Sequence, residues 1–251
     1  MGLIICIIFL IGIILCRTIT VQAESVDDEM DRFQYPRKDK NKIAYLTFDD
    51  GPSSYTKELL EILEKEQVPA IFFVIGENFT VQPNGKELVK EMYDKGHYIG
   101  LHSMTHDRNK LYLTANAPQN FMKEMMEVKA LIAEATEGFQ SELCRPPYGS
   151  KAYFTKAHYA IVKDSNLKCW DWNIDSMDWS GSSPAAILAK VKKDLESTKY
   201  PDVTVLLFHE KKNTVKILPE VIQYYREQGY EFVSYHPADE VQFSNKQIYQ
   251  Y

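Results

Sequence analysis

From Lys42 onward, short apolar runs alternate with amphipathic stretches. Ile43 to Phe48 predicts a strand. Tyr55 to Glu66 places Leu59, Leu60, Ile62 and Leu63 among charges and predicts a helix. Ala70 to Ile75 reads as a buried strand, Gly85 to Lys95 as a helix with Leu88, Val89 and Met92 on one face, and Tyr98 to Leu101 as a strand. Phe121 to Glu137 carries the clearest helical period, through Phe121, Met125, Val128, Leu131, Ile132 and Ala135. Leu143-Cys144 is a strand cut by Pro146-Pro147. Tyr153 to Asn166 is helical, Lys168 to Ile174 a strand, and Pro184 to Ser197 a helix with proline in its first turn. Val203 to Phe208 (strand), Val215 to Gln228 (helix) and Glu231 to Ser234 (strand) complete the pattern. About seven βα units of this kind predict an α/β fold whose parallel sheet is closed, or nearly closed, into a barrel.

The unusual polar residues fall at one place in this pattern. Asp49 and Asp50 end the first strand, His102 the third, Arg145 the fourth, Asp175 the fifth and His209 the sixth. The carboxyl ends of parallel barrel strands form one rim, where active sites lie. Residues as far apart as Asp49 and His209 are therefore expected to converge.

The chain's 251 residues fit one large domain, and 45% apolar content supplies a core. A net charge of −6 without a sustained Lys/Arg block argues against a nucleic-acid partner. Leu3 to Cys16 is almost wholly apolar, too short to span a bilayer comfortably, and suits a signal-peptide core, with Val21-Gln22-Ala23 as a cleavage site. No Lys or Arg precedes it, so retention as an anchor is the alternative. The expected organisation is a signal peptide or N-terminal membrane anchor (1–23), a polar linker (24–41), a folded domain (42–236) and a polar, aromatic tail (237–251). Such a chain works secreted or extracytoplasmic, or anchored at the cell surface, and is expected to be monomeric. Cys144 and Cys169 sit in apolar strand-like runs and read as free thiols rather than a disulfide framework.

His102 and His106 are four residues apart. In a helical turn that spacing puts both imidazoles on one face, and with an Asp-Asp-Gly at another strand end it suits a divalent metal such as zinc. Asp49 and Asp50 are strand neighbours and so point in different directions, one toward metal and the other toward substrate. Acids at the end of an apolar strand need partners, and Arg145 supplies one by bidentate pairing. Arg145-Pro146-Pro147-Tyr148-Gly149 is a rigid turn able to present a backbone N–H to an oxyanion. Asp175 or Asp178 is placed to pair with an imidazole, and nearby tryptophans suit sugar faces. His209, on the same rim, is the candidate general acid. His97, His158 and His236 lack such company and read as structural.

Thr-Phe-Asp-Asp-Gly-Pro (47–52), His-Ser-x-x-His (102–106), Arg-Pro-Pro-Tyr-Gly (145–149), Asp-Ser-x-Asp-Trp (175–179) and Leu-x-His (207–209) resemble, in order, the five motifs of polysaccharide deacetylases with a NodB homology domain, carbohydrate esterase family four. The resemblance covers about Lys42 to Tyr235. It implies a distorted (β/α) barrel and metal-dependent removal of acetyl groups from N-acetylated sugars. It implies Asp50, His102 and His106 as ligands of one divalent metal, zinc in most members and cobalt or nickel in others. Asp49 would be the base, held by Arg145, and His209 the acid, tuned by Asp175. Tyr148 would supply an oxyanion N–H, with Trp179 and Leu207 walling the acetyl pocket. Peptidoglycan N-acetylglucosamine is the first expectation for substrate. Chitooligosaccharide, other N-acetylated polysaccharides and O-acetylated xylan are alternatives. A non-catalytic sugar-binding domain is disfavoured by the complete catalytic set, and a phosphodiesterase by the small number of carboxylates.

Overall fold

The computed structural model describes residues 42–236. The expected leader or anchor (1–23), the linker (24–41) and the tail (237–251) lie outside the described residues. The strands are β1 (Ile43–Gly51), β2 (Ile71–Val74), β3 (Tyr98–Leu101), β4 (Leu143–Cys144), β5 (Lys168–Cys169), β6 (Ile174–Asp175), β7 (Val203–His209) and β8 (Glu231–Phe232). The helices are α1 (Thr56–Glu66), α2 (Asn78–Val81), α3 (Gly85–Asp94), α4 (Ala117–Ala135), α5 (Ser150–Tyr153), α6 (Lys156–Asp164), α7 (Pro184–Ser197) and α8 (Lys212–Glu227). A π-helical turn (Asn109–Leu113) and a 3₁₀ turn (Asp178–Ser180) complete the set.

Every strand pairing is parallel, in the order β5-β4-β3-β2-β1-β7-β6, and β8 joins the start of β1. β1 is central and buried along nearly its whole length, which is why it reads as a continuous apolar run. Phe48 stacks on Phe72, with ring centroids 5.1 Å apart, and packs beside Phe208 at 6.1 Å. Against the sheet, α1 buries Leu59, Leu60 and Leu63, α4 buries Phe121, Met125, Val128 and Ile132, and α8 buries Ile217, Leu218, Val221 and Ile222. No helix among the described residues is long and apolar enough to cross a membrane.

The expected strand Lys168 to Ile174 is divided. β5 pairs with β4, whereas β6 pairs with β7, at the opposite edge of the sheet. Only Trp170 to Asn173 separate them, so chain length keeps the two edges within about 17 Å and the sheet is curled into an open barrel. Trp170 causes the break by turning fully into the interior, edge-on to Tyr45 at 5.0 Å and Tyr235 at 5.2 Å. The Asn173 side chain then stands in for ladder bonds along β7, accepting from Val205 N (2.7 Å) and donating to Val203 O (3.0 Å). Cys144 and Cys169 are register partners on β4 and β5, and both are free.

Candidate active site

The rim is built first by a bulge. In the β1–β2 ladder Asp49 opposes Phe73 and Gly51 opposes Val74, leaving Asp50 as an extra residue at φ 68°. Strict alternation would send the two acids to opposite faces. The bulge turns both toward one imidazole instead: His102 Nε2 lies 3.5 Å from Asp50 Oδ1 and 3.7 Å from Asp49 Oδ2. Asn78 holds the bulge by donating to Asp50 O at 2.9 Å.

The segment 102–106 is an irregular loop rather than the helical turn expected from the histidine spacing. Ser103 (φ 66°) and His106 (φ 54°) are both left-handed, and this returns the His106 ring to the site, with Nε2 3.5 Å from Asp50 Oδ1. His102 Nδ1 sits 2.8 Å from Arg145 O, which makes Nδ1 the donor and leaves the Nε2 lone pair facing the acids. Burial pulls the His102 pKa down to about 3, so the ring is neutral at ordinary pH. Potential ligand atoms of Asp50, His102 and His106 all lie within 4.8 Å of one another. Asp50 Oδ1 is buried yet accepts no hydrogen bond from the described residues. An orphaned carboxylate oxygen facing the neutral His102 ring and the His106 imidazole is a donor set that fits a divalent cation, zinc among them.

Asp49 and Arg145 form the next layer. Arg145 is completely buried, and its Nη1 donates to Asp49 Oδ1 at 2.7 Å. The pairing is single rather than bidentate, because the other guanidinium hydrogens serve Thr47 Oγ1 (2.7 Å), Trp170 O (3.0 Å) and Asp171 O (3.2 Å). Burial raises the Asp49 carboxyl above the usual carboxylate range against the lowering pull of Arg145. Asp49 Oδ2 is left toward the histidines.

Across the rim, β7 runs in register with β1, so Asp49 opposes His209 and Thr47 opposes Leu207. Leu207 and His209 share a face of β7, which puts Leu207 one layer beneath the imidazole. The carboxylate at His209 is Asp178, not Asp175. Asp178 Oδ1 lies 2.8 Å from His209 Nδ1, while Oδ2 accepts from His209 N (2.7 Å) and Thr214 Oγ1 (2.6 Å). Asp175 lies in β6 level with Leu207, two residues short of the histidine, and accepts from Met177 N at 2.9 Å. Only the turn that follows carries the chain to His209's height. Burial would lower the His209 pKa, but the hydrogen bond and charge of Asp178, aided by Asp49 and Asp50, outweigh it and raise the value. Burial likewise opposes ionisation of Asp178, and His209 and Thr214 overcome it to leave that pKa lowered.

A family profile described as polysaccharide deacetylase matches residues 36–170. The chain belongs to the polysaccharide deacetylase family. It is 38% identical over 200 residues to a peptidoglycan-N-acetylglucosamine deacetylase of Bacillus cereus, covering 78% of this chain and 70% of that one. The solved polysaccharide deacetylase Bc1974 of Bacillus cereus superposes with a TM-score of 0.71 at 36% identity, covering 83% of this chain and all of that one. The catalytic domain of a peptidoglycan N-acetylglucosamine deacetylase from Eubacterium rectale gives 0.69 at 29% identity, covering 82% of this chain and 93% of that one. The fold is thus that of this hydrolase family, a curled half-barrel of parallel strands.

Within the deacetylase rim, Pro146 to Gly149 closes a turn through Gly149 N to Pro146 O at 2.9 Å, with Pro147 second and left-handed Tyr148 (φ 66°) third, a type II arrangement. The Pro147 carbonyl is held inward by Tyr112 Oη at 2.9 Å, and a trans peptide then aims the Tyr148 N–H the opposite way. Tyr148 Oη donates to His106 O at 2.9 Å, and its ring packs against His106. Trp179 directly follows Asp178 and stands half exposed. Asn78 and Tyr112 escaped sequence reasoning because their contacts are to backbone carbonyls, which leave no pattern in side-chain type. His97 and His158 lie outside this cluster: the first accepts from Ala70 N and the second sits 3.0 Å from Leu111 O.

Proposed function

We propose that this deacetylase is a metal-dependent enzyme acting on the N-acetylglucosamine of peptidoglycan, outside the cytoplasm. The observation that carries the reading is the presence of two proton-transfer pairs, Asp49 with Arg145 and His209 with Asp178, beside the Asp50–His102–His106 set. The two named peptidoglycan deacetylases above support the glycan, and the apolar run Leu3 to Cys16 supports the location.

A divalent cation held by Asp50, His102 and His106 would polarise the acetamide carbonyl and acidify water. Asp49, fixed by Arg145, takes the proton from the attacking water. The Tyr148 N–H donates to the oxyanion of the tetrahedral intermediate. His209, kept protonated by Asp178, passes its Nε2 proton to the departing amine, releasing acetate and a free amino sugar. Leu207 lines the acetyl side of the site from below, and the exposed Trp179 offers its face to the sugar.

Acetate release from peptidoglycan, chitooligosaccharide and acetylated xylan, measured in parallel with chelator and then with added zinc, tests the proposal. Peptidoglycan should be the best substrate, with release lost to chelator and restored by zinc. Preference for xylan esters would shift the reaction from amide to ester. Tight glycan binding without any release would favour a sugar-binding role.

A further inference from the structure

The loop that carries both histidines leans on a residue outside the five motifs, Glu124. Glu124 lies in α4 on the stripe that buries Phe121, Met125 and Val128, and it is only 7% exposed. An acid on an apolar stripe is costly unless its oxygens are satisfied. Among the described residues they are satisfied by the histidine loop alone. Oε2 accepts from Met104 N (3.1 Å) and Thr105 N (2.9 Å), and Thr105 Oγ1 lies 2.9 Å from Oε1 and 3.0 Å from Oε2. Thr105 Oγ1 in turn accepts from Asp107 N at 3.2 Å.

The loop needs such an anchor. Ser103 and His106, at either side of the clamped pair, both hold left-handed backbones that non-glycine residues rarely adopt. The loop's other face is tied to the β2 end, through Gly76 N to Ser103 O (3.0 Å) and Glu77 N to Met104 O (2.9 Å). Those bonds use carbonyls. Glu124 takes the amides that the same peptides point the other way, so the loop is fixed from both sides.

We propose that Glu124 is a positioning residue for the metal site: its carboxylate clamps the Met104 and Thr105 amides and thereby holds His102 and His106 in register with Asp50. The inference rests on the metal reading above. Glu124→Met keeps side-chain length and removes the acceptors. Glu124→Gln keeps one acceptor oxygen for both amides and can donate to Thr105 Oγ1. Thr105→Val removes the bridging hydroxyl alone.

The test is a zinc and cobalt titration of the metal-free full chain, with zinc affinity read by chelator competition and cobalt geometry by its visible absorption band. Urea unfolding of each metal-free variant runs alongside. Glu124→Met should weaken zinc by about 10–100-fold and alter the cobalt band, as loss of a ligand-orienting partner does. Glu124→Gln should rescue most of that loss, and Thr105→Val should weaken zinc severalfold while staying as folded as wild type. Wild-type affinity in folded Glu124→Met or in Thr105→Val would overturn the inference, as would a Glu124→Gln protein no better than Glu124→Met. Wild-type chain whose metal uptake is indifferent to His102→Ala would instead remove the metal reading itself.

Discussion

Asp49 and Asp50 are chemically alike, and their neighbours separate them. Arg145 holds one, while an oxygen of the other is buried with no protein donor and faces two imidazoles. Asp49→Asn should therefore leave zinc uptake intact and lower kcat by about a hundredfold or more, which single-turnover acetate release would measure. In the proposed mechanism His209 acts protonated, so activity should fall as pH rises through its raised pKa. Asp178→Asn removes the main hydrogen bond and charge that raise it, leaving burial, which lowers it, opposed only by Asp49 and Asp50. The alkaline limb of kcat/KM against pH should then move to lower pH, and Asp175→Asn should not move it. Glu210 gives a stability prediction. Burial lifts its pKa to about 7 although Ser53 N (3.0 Å) and Thr56 Oγ1 donate to it. Between the ordinary value of 4.5 and about 7 the folded state holds the extra proton, so this residue's contribution worsens as pH rises, by on the order of 3 kcal/mol in full. In urea unfolding, Glu210→Gln should gain on wild type between pH 5 and pH 8; a constant difference would refute the shift. At this scale the sequence displayed the residues proposed here for metal binding and proton transfer, because histidines and acids recur at its apolar strand ends. It left Asp175 and Asp178 alike, since only strand register tells which one reaches His209.

Elements were legible where one face is apolar. Tyr98–Leu101 and Pro184–Ser197 have the bounds their patterns imply. α4 starts earlier than its apolar period, at Ala117, where Pro118 fits the first turn, and α8 starts at Lys212, through polar residues that periodicity does not register. The π turn at Asn109–Leu113, the short α2 and α5, and the Asp50 bulge were not legible, because each is fixed by tertiary partners rather than by local period. Two of these shape the candidate site. A Cβ on Gly51 would fall 2.0 Å from Glu210 Oε1, so Gly51→Ala must displace the Glu210 carboxyl or the bulge beside it. Zinc affinity by chelator competition should drop, with Asp50 pulled from the histidines. The π turn supplies Tyr112, whose hydroxyl orients the Pro147–Tyr148 peptide. Tyr112→Phe should lower kcat by about tenfold or more with KM and zinc affinity unchanged, as loss of an aligned oxyanion donor does.

The molecule as a whole is a sheet whose edges are bridged by one segment, and that bridge sets the Trp170 and Asp171 carbonyls on Arg145, which holds Asp49. Alternating apolar runs showed the parallel sheet, and strand ends showed the rim. They did not show that the fifth strand divides, since Trp170 looks like any strand residue until Tyr45 and Tyr235 are seen around it. Trp170→Ala should cost about 3–5 kcal/mol of stability, read as a lower urea midpoint. The measurement that bears most directly on the account is acetate release from peptidoglycan during zinc titration of the metal-free chain, wild type beside Asp50→Ala. Turnover that rises with zinc to saturation at a single equivalent, and stays absent in Asp50→Ala, is the predicted result. Full turnover by the metal-free chain, or by Asp50→Ala, would contradict it.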